Sequence, residues 1–292
     1  MVRLRFAIDL RYEVGRAGAD FIFNLQASHM PQQTVVMEQL LVHPPRPVSH
    51  HTAAGTQTRI LRLKADGGPL QVSYQALVEL QHHVTEPEAL NETPIAHLPP
   101  ETLIYLYPSR YCPSDRLQHL AMREFGALPP GYSRVKAIED WVRRQVSFKS
   151  NSSNSMTSAL DTLADRVGVC RDFAHLMISL CRALNIPARF TTGIDYGADP
   201  ALGPTDFHAY VEVYLGQRWY LFDPSGTAIP MGFIRIGTGR DAADVAFATI
   251  FGEVTSNPPL IAIEALLDTE AGAVLPVHRR EALSTDDGRA VN

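Results

Sequence analysis

Residues 208–223 read HAYVEVYLGQRWYLFD, and the pattern of this stretch sets the fold around it. His208–Leu215 alternates as a strand, Trp219–Asp223 forms a second, and Gly216-Gln217 supplies a two-residue hairpin turn with glycine at its first central position. Pairing outward from the turn puts Leu215 opposite Arg218, Tyr214 opposite Trp219, and so on down to Tyr210 opposite Asp223. Residues that pair directly, or lie two apart on one strand, share a face of the sheet. Asp223 is therefore the diagonal neighbour of His208, with Cβ atoms within about 7–8 Å, a gap that two polar side chains bridge with a hydrogen bond. A slip of one residue would send them to opposite faces.

Upstream, residues 168–184 read GVCRDFAHLMISLCRAL. Cys170 opens a helix whose apolar face carries Phe173, Leu176, Met177, Leu180 and Leu184, and Asn185 with Pro187 closes it. A thiol in the first turn lies near the positive end of the helix dipole, which favours thiolate and suits a nucleophile. The other reading of Cys170 is a buried structural cysteine, the role expected of Cys181 on the same helix. A nucleophilic thiolate needs a proton carrier, and the carrier needs an orienting acceptor. His175 is badly placed, because five helical residues turn its side chain about 140° away from Cys170. His208 backed by Asp223 is the better partner, so a Cys170–His208–Asp223 triad is expected. A zinc or redox site shared by Cys170 and Cys181 is disfavoured, since the two lie about 16 Å apart in helical rise.

Around this centre the period changes twice. Val2, Leu4, Phe6, Ile8 and Leu10 alternate with charged residues, and Phe21–Leu25, Thr34–Val42, Thr58–Lys64 and Gln71–Leu80 continue in period two. Such short alternating runs predict an antiparallel sheet or sandwich over residues 1–100. Pro87–Pro113 is proline-rich and is expected to link the domains. Helical spacing then predicts a helix capped by Ser114 and ending near Gly126, another over Tyr132–Phe148, and a short one over Ala159–Val167 stopped by Gly168. A strand is expected at Leu260–Leu267, a turn at Gly237-Thr-Gly239, and a fraying tail over Ser284–Asn292. The expected organisation is a β-rich domain over 1–100, a catalytic core over 101–270 and a tail over 271–292.

Composition removes several function classes. With 26 Lys and Arg against 31 Asp and Glu, the net charge of −5 gives no footprint for nucleic acid or an anionic membrane. No apolar run is long enough to cross a bilayer, and the N-terminus lacks the apolar block of a signal peptide. Cys112, Cys170 and Cys181 make no disulfide framework and no C-x-x-C pair, so a reducing compartment, the cytoplasm, is expected. The pairs His50–His51 and His82–His83 have no companions at ligand spacing and are expected to be solvated, and neither a metal nor another cofactor is expected.

Residues 168–176 (GVCRDFAHL), 206–215 (DFHAYVEVYL) and 219–226 (WYLFDPSG) resemble the three catalytic blocks of the bacterial transglutaminase-like superfamily. Residues 107–116 (YPSRYCPSDR) and 235–245 (RIGTGRDAADV) resemble further signatures of a branch provisionally assigned as cysteine proteases, in which a β-rich domain precedes the catalytic core. The resemblance implies an α+β fold: an antiparallel β-sandwich followed by a papain-like, transglutaminase-like core, with its cysteine helix packed on an antiparallel sheet that carries His and Asp. It makes Cys170 the nucleophile, His208 the base and Asp223 the orienting carboxylate. It implies acyl transfer through a thioester on a peptide or protein substrate, at a side-chain or backbone amide. Hydrolysis is the leading expectation; amine transfer, and a non-catalytic peptide-binding module on the same fold, are the alternatives. Three departures weaken transfer of crosslinking activity: Val169, Arg171 and Tyr210 stand where crosslinking animal transglutaminases carry Gln, Trp and Trp. No D-x-D-x-D-G calcium loop is present. Arg171, Asp172, Asp206 and Tyr210 are the candidate substrate-binding residues, and the Gly197–Thr205 loop is expected to rim the cleft.

Overall fold

The computed structural model describes residues 1–198, 201, 205–268, 270 and 272–286. The period-two segments form strands β1 (Val2–Val14), β2 (Ala19–Phe23), β3 (Gln33–His43), β4 (Val48–Thr52), β5 (Arg59–Ala65), β6 (Gly68–Leu80) and β7 (His83–Thr85). Seven alternate side chains of β1, Val2 through Val14, are buried, as are six of β6, Leu70 through Leu80. Together with Phe21, Phe23, Leu61 and Leu63 from the second sheet they make one apolar core, in which the Tyr12 and Phe21 rings meet at 5.3 Å.

These sheets are completed from the far end of the chain. Strands β8 (Ser147–Phe148) and β9 (Val167–Gly168) form a small parallel pair within the helical region, and β10 (Ala188–Asp195), β11 (His208–Leu215), β12 (Arg218–Phe222) and β13 (Phe233–Gly239) form a four-stranded core sheet. Then β14 (Ala248–Phe251) pairs with β2, while β15 (Val254–Ser256) and β16 (Leu260–Ala265) pair with β1. The expected core of 101–270 is corrected accordingly: residues 248–265 carry sandwich strands, which pair the backbone groups that β1, thirteen residues long and paired with β6 on one side, would otherwise leave open along its other edge. The last strand, β17 (Ala282–Ser284), pairs with β7, and Asp286 accepts from Trp219 N at 3.1 Å. The tail expected to fray from Ser284 is thus docked as far as Asp286, and residues 287–292 lie outside the described residues.

Helix α1 (Ser114–Phe125), α2 (Tyr132–Gln145) and α3 (Ala159–Asp165) surround α4 (Cys170–Ala183), which packs on β10 and β11. Three expected boundaries move for identifiable reasons. Pro113, not Ser114, stands at the N-cap of α1. Arg166, in the left-handed conformation at φ 56°, ends α3 before Gly168. Gly237 and Gly239 sit inside β13 rather than in a turn. Asn185, at φ 61°, closes α4 as expected, and Ile186 N donates to Cys181 O at 3.0 Å. The proline-rich segment is a packed strap rather than a loose connection: Leu90 enters the helical core, Tyr105 meets the Trp219 ring at 5.3 Å, and Glu92 forms an ion pair with Arg134. His50 and His51 are exposed, whereas burial lowers His82 to about 4.

The core sheet has the order β12-β11-β10-β13. Its β11–β12 register runs from Leu215 opposite Arg218 to Val211 opposite Phe222, as the hairpin reading requires. Gly216 and Gln217 both have positive φ, 52° and 68°, which is a type I′ turn. One face of this sheet, with Ala209, Val211, Val213 and Phe222, packs on α4. The other carries Arg189, Thr191 and Asp195 of β10 beside His208, Tyr210 and Glu212 of β11, and at the Arg189 end it meets Thr285 and Asp286 of the tail. At the edge strand β13, Gln33 of the sandwich exchanges two hydrogen bonds with the Arg235 backbone, each at 2.8 Å.

Candidate active site

Cys170 is the first residue of α4, and its geometry is set by the residues around it. Asp172 Oδ2 accepts from Val169 N at 2.9 Å, which caps the helix start, and Asp172 Oδ1 accepts from Ser153 Oγ at 2.8 Å. Arg171 donates to Ser153 Oγ at 2.5 Å and to Asn154 O at 2.6 Å. The KSNSSN loop is thereby latched onto the turn that carries the thiol. Cys170 is half-buried, and its Sγ lies 4.0 Å from Phe207 O. The other two thiols are sealed in the core, where burial pushes Cys112 up to about 12 and raises Cys181 further. Such thiols are inert toward reagents in water.

His208 opens β11 beside Cys170. Its Nε2 lies 3.4 Å from Asp223 Oδ1 and its Nδ1 lies 3.8 Å from Asp195 Oδ2, so each ring nitrogen faces a carboxylate. Burial alone would oppose its charge. The Asp195 carboxylate, the Cys170 sulfur, and hydrogen bonds with Asp223 and Cys170 outweigh that cost and hold His208 well above the usual imidazole range. The strand opposite is distorted at this point. A Cβ at Gly193, which pairs with His208, would lie 1.9 Å from Ile234 O and 2.6 Å from the Phe233 ring, so only glycine fits at this bulge.

The two carboxylates have different surroundings. Asp223 Oδ1 accepts from Ser225 Oγ at 2.5 Å and Ser225 N at 3.1 Å, and Oδ2 accepts from Ala228 N at 3.2 Å. Burial opposes its charge, but His208, Ser225 and the Ala228 N–H together keep it below the ordinary carboxylate range. Arg143 donates to Asp223 O at 2.7 Å and fixes the backbone of the same turn. Asp195 has none of this support. Its Oδ2 is buried without a hydrogen bond among the described residues, and burial, with Asp223 adding in the same direction, pushes it up to about 6.

The structure thus brings Cys170, His208 and Asp223 to one place and corrects the substrate-binding assignments. Asp172 is 1% exposed and Tyr210 is 0% exposed, so neither faces a cleft. Asp172 caps α4, and the Tyr210 ring is wedged between His208 at 4.8 Å and Phe233 at 4.2 Å. Arg171 is engaged with the loop and lies over the Tyr111 ring at 5.5 Å. Asp206 is exposed beside the site, and its Oδ1 accepts from Phe207 N at 2.7 Å. Of the Gly197–Thr205 loop, residues 199, 200 and 202–204 lie outside the described residues. Asp195, Arg143 and Ser225 were not picked out from sequence. Asp195 carried a signal, a lone acid ending the apolar run FTTGID, but its meaning depends on β10 lying next to β11. Among the described residues no group of three or more His, Cys, Asp or Glu is arranged to hold a metal ion, and no helix is long and apolar enough to cross a membrane.

Comparison with known proteins agrees with this architecture. Residues 119–224 match the model of the transglutaminase-like superfamily, and residues 2–101 match that of the bacterial transglutaminase N-terminal domain. A crystal structure from Cytophaga hutchinsonii, of a protein provisionally assigned as a cysteine protease, is 39% identical and superposes with a TM-score of 0.89 over 97% of each chain. An uncharacterised protein of Mycobacterium leprae is 30% identical over 146 residues, 48% of this chain and 52% of its own length. One from Mycobacterium tuberculosis is 30% identical over 141 residues, 43% of this chain and 45% of its own. The chain therefore spans about half the length of these mycobacterial relatives. Two domain models in tandem and a near-full-length structural match lead to one conclusion: the chain belongs to the transglutaminase-like superfamily.

Proposed function

We propose that this protein is a cysteine-dependent acyltransferase acting on amides, with Cys170 as nucleophile, His208 as proton carrier and Asp223 as the group that orients His208. The observation that carries the reading is the seating of His208: Asp223 lies 3.4 Å from its Nε2, and the half-buried Cys170 sulfur at the start of α4 acts on the same imidazole. In the proposed reaction the Cys170 proton passes to His208 and the thiolate attacks the carbonyl carbon. The C–N bond then breaks as His208 returns the proton to the leaving amine. The backbone N–H of Cys170, in the first turn of α4, faces the developing oxyanion. Water then attacks the thioester with His208 as base, releasing the acid and restoring the thiol.

Hydrolysis is favoured over amine transfer. The near-full-length relative from Cytophaga hutchinsonii is provisionally assigned as a cysteine protease, and Val169, Arg171 and Tyr210 replace the residues of crosslinking enzymes. The three unpaired cysteines fit a reducing compartment, which we propose is the cytoplasm. The test is a product assay on glutamine-containing peptides and casein with a dansylated amine present, read by mass spectrometry against Cys170→Ser. Cleaved backbone or deamidated glutamine that disappears in Cys170→Ser supports hydrolysis. Cys170-dependent amine incorporation instead makes the protein a transferase. Peptide retained without any product, equally in both proteins, favours a binding module.

A further inference from the structure

His208 is flanked by carboxylates at both ring nitrogens, and the acyl-transfer reading uses only Asp223. We infer that Asp195 is a positioning residue that holds the imidazolium form of His208 from its Nδ1 side, and so carries the Cys170–His208 ion pair to higher pH than Asp223 alone would sustain. The inference builds on the acyl-transfer reading of that pair, and it assigns no bond-making step to Asp195.

Three features of the structure support it. Asp195 Oδ2 lies 3.8 Å from His208 Nδ1, too long for a strong hydrogen bond but close for two opposite charges in a buried site. The same oxygen is buried and accepts no hydrogen bond from the described residues, so His208 is the cation it faces. A purely structural carboxylate at this depth is normally met by several donors, as Asp223 is by Ser225 and Ala228. The position is also constrained: Asp195 ends β10 opposite Phe233, two residues after the bulge at Gly193.

Among the described residues, the titratable groups around Asp195 are few. From β11 it faces His208 and Tyr210, and from the turn after β12 it faces Asp223. Cys170 at the start of α4 and Asp206 before β11 act on the same imidazole. From β13 its partners are the apolar Phe233 and Ile234. Only His208 among these can carry positive charge, so the charge of Asp195 is exchanged with one partner. Protonated at low pH, Asp195 leaves His208 with Asp223 alone. Ionised, it adds a second anion beside the imidazolium and strengthens its hold on the proton.

The test is a titration of ring-labelled histidine followed by NMR, in the whole chain and in Asp195→Asn, with thermal unfolding to confirm that the variant is folded. The His208 midpoint is expected to fall by about one unit or more in Asp195→Asn, a tenfold or greater loss of proton affinity. The unaltered protein supplies a second reading that needs no variant: its His208 signal should show an additional inflection near 6, where Asp195 titrates. A His208 midpoint unchanged in a folded Asp195→Asn, or a His208 signal without that inflection, overturns the inference. The acyl-transfer reading fails separately. If Cys170 alkylation ignores His208→Ala, that reading and the functional half of this inference fall together, whatever the NMR shows.

Discussion

The buried polar face of the core sheet has two ends, and they are built on opposite principles. At one end Arg189 and Arg235 meet Glu212 and Asp286, two cations against two anions, with Thr191 and Thr285 adding hydrogen bonds. At the other, His208 is set among Asp195, Asp223 and the Cys170 thiol, with Arg143 held on the Asp223 backbone carbonyl, and the Tyr210 hydroxyl and Asp195 Oδ2 lack hydrogen bonds among the described residues. The first end is balanced and ties the tail, the hairpin and β13 together. The second is unbalanced toward negative charge, which favours a stored proton on His208. Buried charge is tolerated at both ends, but only the second end leaves a proton that can move.

Breaking the balanced end should cost the most stability. Arg235→Met leaves Glu212 buried with one partner fewer, and a broken buried pair costs about 3–5 kcal/mol. Urea unfolding should register that loss, while Cys170 reactivity in the fraction that remains folded should be unchanged. If Cys170 reactivity falls in proportion, the two ends are one network and the contrast fails.

Removing charge from the unbalanced end should have the opposite sign. The Asp195 carboxyl is raised in the folded state, to about 6 from 3.8, so its contribution to stability is present below the unfolded value and lost as pH rises through the folded one. Asp195→Asn escapes that loss, and should gain up to about 3 kcal/mol over the native protein between pH 4 and 8. Thermal unfolding at the two pH values measures it, and a variant equally destabilised at both would contradict the assignment. Asp223→Asn should lower Cys170 alkylation at pH 6 by about tenfold, because one anion beside His208 is removed. Arg143→Ala should have the smallest effect, about 1 kcal/mol in unfolding and a fall in alkylation smaller than that of Asp223→Asn, since at the site it holds the Asp223 backbone and its ion pair is with Glu139. A larger fall in Arg143→Ala would mean that Arg143 acts on the site by charge.

The unbalanced end was largely legible in the sequence, and the balanced end was not. The hairpin register follows from local rules, an alternating pattern and a two-residue turn, so His208 and Asp223 could be placed beside each other from residues 208–223 alone. Cys170 at a helix start was legible for the same reason. Asp195 was not, because it meets His208 only through the pairing of β10 with β11, and a crossover between strands leaves no local mark. Arg189, Arg235 and Asp286 come from residues nearly a hundred positions apart, which no periodicity links. The return of residues 248–265 to the sandwich was hidden likewise: the strand over Leu260–Ala265 could be predicted, but not its partner β1. Arg171 and Asp172 looked like substrate contacts because they flank the thiol, whereas a helix start needs a cap before it needs a ligand.

The most direct test of the central claim is the alkylation rate of each cysteine by iodoacetamide from pH 4 to 9, read by peptide mass spectrometry, with His208→Ala in parallel. The account predicts that Cys170 reacts far faster than Cys112 and Cys181 at mildly acidic pH and loses that advantage in His208→Ala. A Cys170 that reacts no faster than the buried thiols, or one indifferent to His208, would contradict it.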